Sequence, residues 1–353
     1  MPPQTSTIAA VCAFAIAALL GYAAHRASIC NVKAVLEILG SRRAFMLASF
    51  AKAALWATAV YGTAILALPW MGAGFQTFEP AFLPACGGFV FGAGAAINGG
   101  CSVSTLQRLA DGEIGMLMTL IGLGGGLFAW SAIDANLAIV RAVRVPLAWR
   151  EPGVATVALV VSLWLAAALE VWRLWRSRAR IGIRKLAASD AYRLSTSAML
   201  IGIAGGLLNV LLGSWTYTYY LRSAIDAAQR DSMAPGPLLA GLLAAMLGGM
   251  VVSSIQRRSF RPGWGGMKGA SKHLLGGLLM GVGAALIPGG NDSIVLTGIP
   301  TLSGVALATY LALLLGIASA LLVQRAAGAA LPLVVCAGDT CKPDSDRASA
   351  RAR

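Results

Sequence analysis

Charged side chains are scarce in this chain, at 12% of its 353 residues against 58% apolar. A soluble domain carries about a quarter charged residues, so a single aqueous core could not hide this much apolar surface. Mean hydropathy is correspondingly high, at +0.74. Histidine is rarer still: His25 and His273 are the whole supply, which excludes a multi-histidine metal centre. Met1–Ser6 holds no Lys or Arg. The first apolar stretch therefore lacks the basic flank of a signal peptide and reads as a retained helix. Aromatics are few and are not interleaved with bases in a polar region, which excludes a nucleic-acid groove. The Gly-rich patterns follow no strand, so they are not nucleotide loops. No feature points to a soluble-type enzyme, a cofactor or a bound metal.

What is present is a membrane pattern. Lys and Arg number 28 against 14 acids, and they cluster between apolar segments, as the positive-inside rule requires. At about 20 apolar residues per crossing, spans fall at 7–24, 44–69, 82–98 (continuing past a Gly break to 110), 114–133, 154–172, 195–213, 237–256, 273–298 with a break, and 303–323.

Within them lies an internal repeat. GGFVFGAGAAINGGCSVSTL, from Gly87 to Leu106, is matched by GGLLMGVGAALIPGGNDSIVL, from Gly276 to Leu296. Gly87, Gly88, Gly92 and Gly94 pair with Gly276, Gly277, Gly281 and Gly283 without a gap. One inserted residue then pairs Gly99 and Gly100 with Gly289 and Gly290, and sets Asn291 against Cys101. Two glycine-rich helices share composition by chance, but not register.

The loop before the first copy, Trp70–Ala81, carries no base. The loop before the second holds Arg257, Arg258, Arg261, Lys268 and Lys272. The two loops are thus expected on opposite sides, with the copies inverted. The basic connector 173–194 is expected in the cytoplasm, between a first repeat at 1–172 and a second at 195–325. A disordered cytoplasmic tail is expected over 326–353. This puts the N-terminus outside; Arg141, Arg144 and Arg150 then also fall outside, against the rule. The expected fold is an all-α polytopic membrane protein, an inverted-repeat bundle of about nine transmembrane helices with broken or re-entrant half-helices.

Inverted repeats with broken helices mark secondary transporters, whose site lies at the breaks near the midplane. Backbone opened at Gly99-Gly100 and Gly289-Gly290 cannot face lipid and must line protein or a wet path. The half-helices that follow present free N–H groups suited to an anion. Cys101 reads either as a thiol facing the path or as a small buried hydrophobe. Cys30, in HRASICN, reads as a second path thiol or as a helix-end residue beside a snorkelling Arg26. Asn291 offers donors to an oxyanion, while Asp292 is an intramembrane carboxylate that either functions in transport or caps the half-helix. Trp215, Tyr217, Tyr219 and Tyr220 occupy the place of the Cys30 region in the second half. They read as an interfacial belt, with a lining role second. Cys336 and Cys341 are either a sulfur-accepting or metal-binding pair or incidental cysteines of a mobile tail. Cys12 and Cys86 read as packing residues, and Asp111 and Glu113 as caps of the next span.

At GAGAAINGGCSVSTLQRLADGEIG, GVGAALIPGGNDSIVLTGIPTLSG and RASIC, the chain resembles the YeeE/YedE family of sulfur transporters, over roughly residues 7–325. The resemblance implies an hourglass-shaped inverted repeat that imports thiosulfate across the bacterial inner membrane. It also implies that Cys30 and Cys101 are two of the cysteines that pass the ion along a central path. The cysteine expected at the second break is Asn291 here, which leaves sulfite, sulfide or a selenium species open as substrate. The expected partners are the sulfur anion, the bilayer and a cytosolic sulfur carrier. The alternative expectation is a membrane sulfurtransferase that hands sulfur to that carrier through Cys336 and Cys341.

Overall fold

The computed structural model describes residues 7–68, 76–80, 82–137, 139, 141–144, 153–178, 192–229, 234–264, 266–287, 289–337 and 339–343. Arg150, Pro288 and residues 179–191 of the basic connector lie outside them. Two runs of six helices follow one another in the same order. The first is α1 (Thr7–Ala27), α2 (Asn31–Ser41), α3 (Phe45–Ala67), α4 (Phe82–Asn98), α5 (Ser102–Ala110) and α6 (Met116–Leu137). After α7 (Val154–Arg178) come α8 (Leu194–Leu212), α9 (Tyr217–Gln229), α10 (Pro237–Arg257) and α11 (Gly266–Leu286). The second run ends with α12 (Asn291–Ser293, continued by a π-helical turn over Ile294–Gly298) and α13 (Gly304–Ala326). Among the described residues eight helical segments are long and apolar enough to cross a bilayer, or nine with α11 and its bent continuation counted as one.

The two runs are packed head to tail. A Cβ on Gly87 would press on the Gly283 carbonyl, and one on Gly94 on the Gly276 carbonyl, so α4 and α11 lie antiparallel. Gly88 meets Thr309 and Gly92 meets Leu313, so α4 runs parallel to α13. In the same way Gly277 meets Thr119 and Gly281 meets Leu123, so α11 runs parallel to α6. Each broken helix thus packs on the last helix of the other run, which is the arrangement of an inverted two-fold. Glycine is required here because the backbones touch. A Cβ on Gly92 would sit 2.1 Å from the Leu313 carbonyl oxygen, and one on Gly281 2.2 Å from that of Leu123.

Helix α7 is the odd crossing that turns the second run over. It packs mainly on α3, through Trp164 Nε1 donating to Thr63 Oγ1 at 2.8 Å and Lys52 pairing with Glu170 at 2.5 Å. Its other face leaves Val157, Val161, Leu165, Leu169 and Trp172 exposed, as a lipid-facing helix should. Cys12 and Cys86 are exposed on the bundle as well. They do not pack inside it as expected from sequence, because the faces of α1 and α4 that carry them point outward.

Two short ribbons accompany the helices. Strand β1 (Gln76–Glu79) pairs antiparallel with β2 (Arg141–Arg144), so two of the bases that break the charge rule sit in a folded ribbon. The expected disordered tail instead folds in part: β3 (Val334–Ala337) and β4 (Thr340–Pro343) form a hairpin closed by a Cys336–Cys341 disulfide. The rest of the tail, 344–353, lies outside the described residues. Asp339 in the turn accepts from Ser195 N and Oγ, both at 2.8 Å, and its carbonyl accepts from Leu194 N at 2.8 Å. The hairpin thereby satisfies free amides of the first turn of α8. Arg43 Nη1 donates to the Cys336 carbonyl at 3.4 Å, and Val334 is buried. Cys336 and Cys341, read from sequence as either a sulfur-accepting or metal-binding pair or incidental tail cysteines, are joined in a disulfide that clamps a docked element.

Candidate functional site

Four short helices begin near the centre of the bundle: α2 and α5 from the first run, α9 and α12 from the second. Two of them, α2 and α9, were not expected. At 11 and 13 residues they are too short to register as spans. Both follow the same local logic: a long helix stops at a turn, and the chain restarts at a residue in extended conformation. Cys30, with φ −150° and ψ 132°, holds that place before α2, and Cys101, with φ −75° and ψ 177°, before α5. The turns themselves need glycine. Gly99 has φ +79° and Gly289 φ +105°, values that side chains with a Cβ rarely adopt.

The half-helices are tied to one another by hydroxyls. Cys30 Sγ donates to Ser104 Oγ at 3.4 Å, and Ser104 Oγ donates to the Cys101 carbonyl at 3.0 Å. In the second run Thr216 Oγ1 pairs with Ser293 Oγ at 2.5 Å, and Gly290 N donates to Thr218 Oγ1 at 2.7 Å. The Thr218 hydroxyl donates in turn to Asp292 Oδ1. The α2–α5 link thus recurs as the α9–α12 link. Across the two-fold, Ser102 Oγ donates to Asn291 Oδ1 at 2.6 Å. The gapped repeat set Asn291 against Cys101. In the structure α12 begins one residue sooner after its glycine pair, and Asn291 opens that helix as Ser102 opens α5. The two residues meet each other at the pseudo-symmetry axis.

A cavity of about 80 Å³ lies beside this junction, with room for about five waters. Its polar wall is made by Cys101, Gln107, Trp215, Thr216, Tyr217, Asn291 and Asp292; Leu20, Met246 and Met250 are among the apolar remainder. No Lys, Arg or His is in that lining. Trp215 is 5% exposed and Tyr217 2%; among the described residues Trp215 Nε1 has no hydrogen-bond partner, while the Tyr217 phenol lies against the Ser102 hydroxyl. Buried donors left open are rare and call for a ligand or water. Trp215, Tyr217, the Cys101 thiol and the Asn291 amide thus border one largely apolar space.

Of the sequence-expected residues, the structure brings Cys101, Asn291 and Asp292 into the cavity wall. Gly99, Gly100, Gly289 and Gly290 shape the turns behind it and do not line it. Cys30 is 1% exposed, and its thiol lies against both the Ser104 hydroxyl and the Cys101 thiol. Trp215 and Tyr217 are the main correction. They are buried at the start of α9, away from any interface, because the extra half-helix carries them inward; Tyr219 and Tyr220 are partly buried on the same helix. The signal that finds them is the repeat itself, which sets SWTY opposite Cys30. Asp111 is corrected too. Beyond ending α5 it accepts from His25 Nε2 at 3.0 Å, from Ser254 Oγ at 2.8 Å and from Ser259 Oγ at 2.5 Å. Burial pushes its carboxyl up, but the His25 and Ser259 hydrogen bonds, the His25 charge and Ser254 outweigh that and hold it at about 2. Glu113 pairs with Arg108 at 2.6 Å.

A family model described as Sulphur transport matches residues 26–319 of the chain, a stretch that contains every half-helix of the central junction. No individually curated protein matches it.

Proposed function

The chain belongs to the sulphur transport family, the YeeE/YedE transporters, and from that premise we propose that this multi-pass membrane protein imports thiosulfate or a related small sulfur-containing anion across the bacterial inner membrane. The observation that carries the reading is the cavity at the half-helix junction, where the open Trp215 donor and the Tyr217 phenol stand beside the Cys101 thiol.

The chemistry suits such an ion. The sulfonate oxygens of thiosulfate take neutral N–H and O–H donors, here Trp215, Tyr217 and the Asn291 amide. The first amides of α5 and α9 add favourable dipoles. The terminal sulfur is soft and poorly hydrated, and an S–H group holds it loosely. With no cation in the wall, the hold stays weak, and a weak hold favours passage. Cys30, whose thiol touches that of Cys101, is the next sulfur along the path. Asp292 adds a carboxylate to a wall that receives a dianion. Thr218 engages it at both oxygens, and a proton travelling with the anion would relieve the repulsion.

The test is uptake of labelled thiosulfate into proteoliposomes. Wild type is expected to accumulate label, and Cys101→Ala to lose most of that uptake at equal expression. Normal uptake by the Ala variant would remove the thiol from the path. Competition by unrelated anions as strong as by thiosulfate would make the solute something else.

A further inference from the structure

A second cavity, of about 70 Å³, lies where the ends of α1 and α10 and the start of α2 meet the tail hairpin. Its wall includes Arg26, Lys33, Arg257, Tyr192, Thr340 and Cys341. Three of these are cations, and no Asp or Glu is in the lining. The arginines are aimed by neutral groups. Arg26 Nη2 donates to Tyr22 Oη at 2.9 Å and to Gln256 Oε1 at 2.6 Å, and its guanidinium lies 5.0 Å from the Tyr22 ring centre. Arg257 Nη1 donates to the His25 carbonyl at 3.0 Å. Arg26 is 2% exposed, so its charge acts in a site largely shielded from water. The fourth wall is the hairpin, which the Cys336–Cys341 disulfide closes and which Asp339 docks on α8.

We propose that this cavity is a second anion-binding site, on the cytoplasmic side, for a divalent sulfur oxyanion that has left the central cavity. The ligand's identity rests on the import reading; its charge and class rest on the wall. The contrast between the two cavities is physical. The central one offers neutral donors and a loose hold. The outer one offers concentrated positive charge with low-dielectric walls, which focuses the field on an incoming anion. An ion at Cys101 is thus drawn past Cys30, which directly precedes the helix that carries Lys33. An anionic lipid headgroup shares the oxyanion chemistry and is the rival occupant.

The test uses the full chain in phosphatidylcholine nanodiscs, titrated calorimetrically with sulfate and with thiosulfate. A parallel measurement follows protection of Cys101 by thiosulfate against a small thiol reagent. Sulfate binding is expected to weaken about tenfold in Lys33→Gln and again in Arg257→Gln, to fall with added salt, and to leave Cys101 protection unchanged. Both variants are checked for monodisperse elution and a wild-type melting curve. Wild-type sulfate binding in two folded variants overturns the site. So does retention of binding in phosphatidylcholine with complete loss in phosphatidylglycerol, which would make a headgroup the occupant. If thiosulfate neither protects Cys101 nor enters vesicles, while sulfate binding still depends on Lys33, the import reading falls and this site stands.

Discussion

Trp215 brings a buried, open indole N–H to the edge of the central cavity, and Tyr217 a phenol that among the described residues only Ser102 engages. A hydrogen bond to a charged group contributes about 1.5–3 kcal/mol. Trp215→Phe and Tyr217→Phe are therefore expected to weaken thiosulfate binding roughly ten- to hundredfold, with little change in melting temperature, by calorimetry on purified protein. Asp292 is tested by charge alone. Asp292→Asn is expected to leave thiosulfate exchange in place and to abolish the response of uptake to an imposed proton gradient. Asp111 makes a stability prediction. Its carboxyl is held at about 2 in the fold, below an unfolded value of about 3.9. A lowered carboxyl stabilises above the unfolded value and loses that contribution as pH falls through the folded one. Because Asp111 is partly exposed, the effect is discounted to ~1 kcal/mol. Asp111→Asn is expected to melt lower than wild type at neutral pH, with the gap closing between pH ~4 and about 2. A gap that persists at low pH would mean that the hydrogen bonds, not the charge, are what matter.

At the scale of elements, the breaks and the close helix contacts do separate work. Gly99 and Gly289 turn the chain, and Gly92 and Gly281 let helices touch. Gly92→Val pushes a Cβ into the Leu313 carbonyl and is expected to cost about 1–3 kcal/mol. Gly124→Ala, where a Cβ would meet nothing within 4 Å, is expected to be silent in the same thermal melt. The long helices and both breaks were legible in sequence, because hydropathy and paired glycines act locally along the chain. The half-helices α2 and α9 were not. Each is shorter than a span, and each starts against a hydroxyl that a distant half-helix supplies: Ser104 for Cys30, Ser293 for Thr216. The hairpin was illegible for a similar reason. Nothing near Asp339 in the chain shows that α8 lacks partners for its first amides.

For the whole molecule, one extra crossing governs the design. Helix α7 inverts the second run, so α4 and α11 meet antiparallel, and the second-run junction at α9 and α12 mirrors that at α2 and α5. On the side where α1 and α10 end and the hairpin docks, Arg26, Lys33, Arg43, Arg257 and Arg325 gather; Arg141 and Arg144 lie in the ribbon at the other end of the bundle. By the positive-inside rule that imbalance is expected to put the hairpin side in the cytoplasm. A green fluorescent protein fused after Arg353 is expected to fluoresce, and alkaline phosphatase at the same point to stay inactive. The reverse result would put the charged cavity outside and reverse the direction of transport.

The sequence by itself determined that this chain lives in a bilayer, that its two halves repeat upside down, and that the backbone opens at two glycine pairs. All three follow from properties summed along contiguous residues. Only the tertiary structure decided which side chains line the central cavity. Trp215 and Tyr217 border the cavity, Cys30 meets Cys101 and Ser104, and Asn291 meets Ser102, because the direction of a side chain at the start of a half-helix is set by a partner helix far away in the chain.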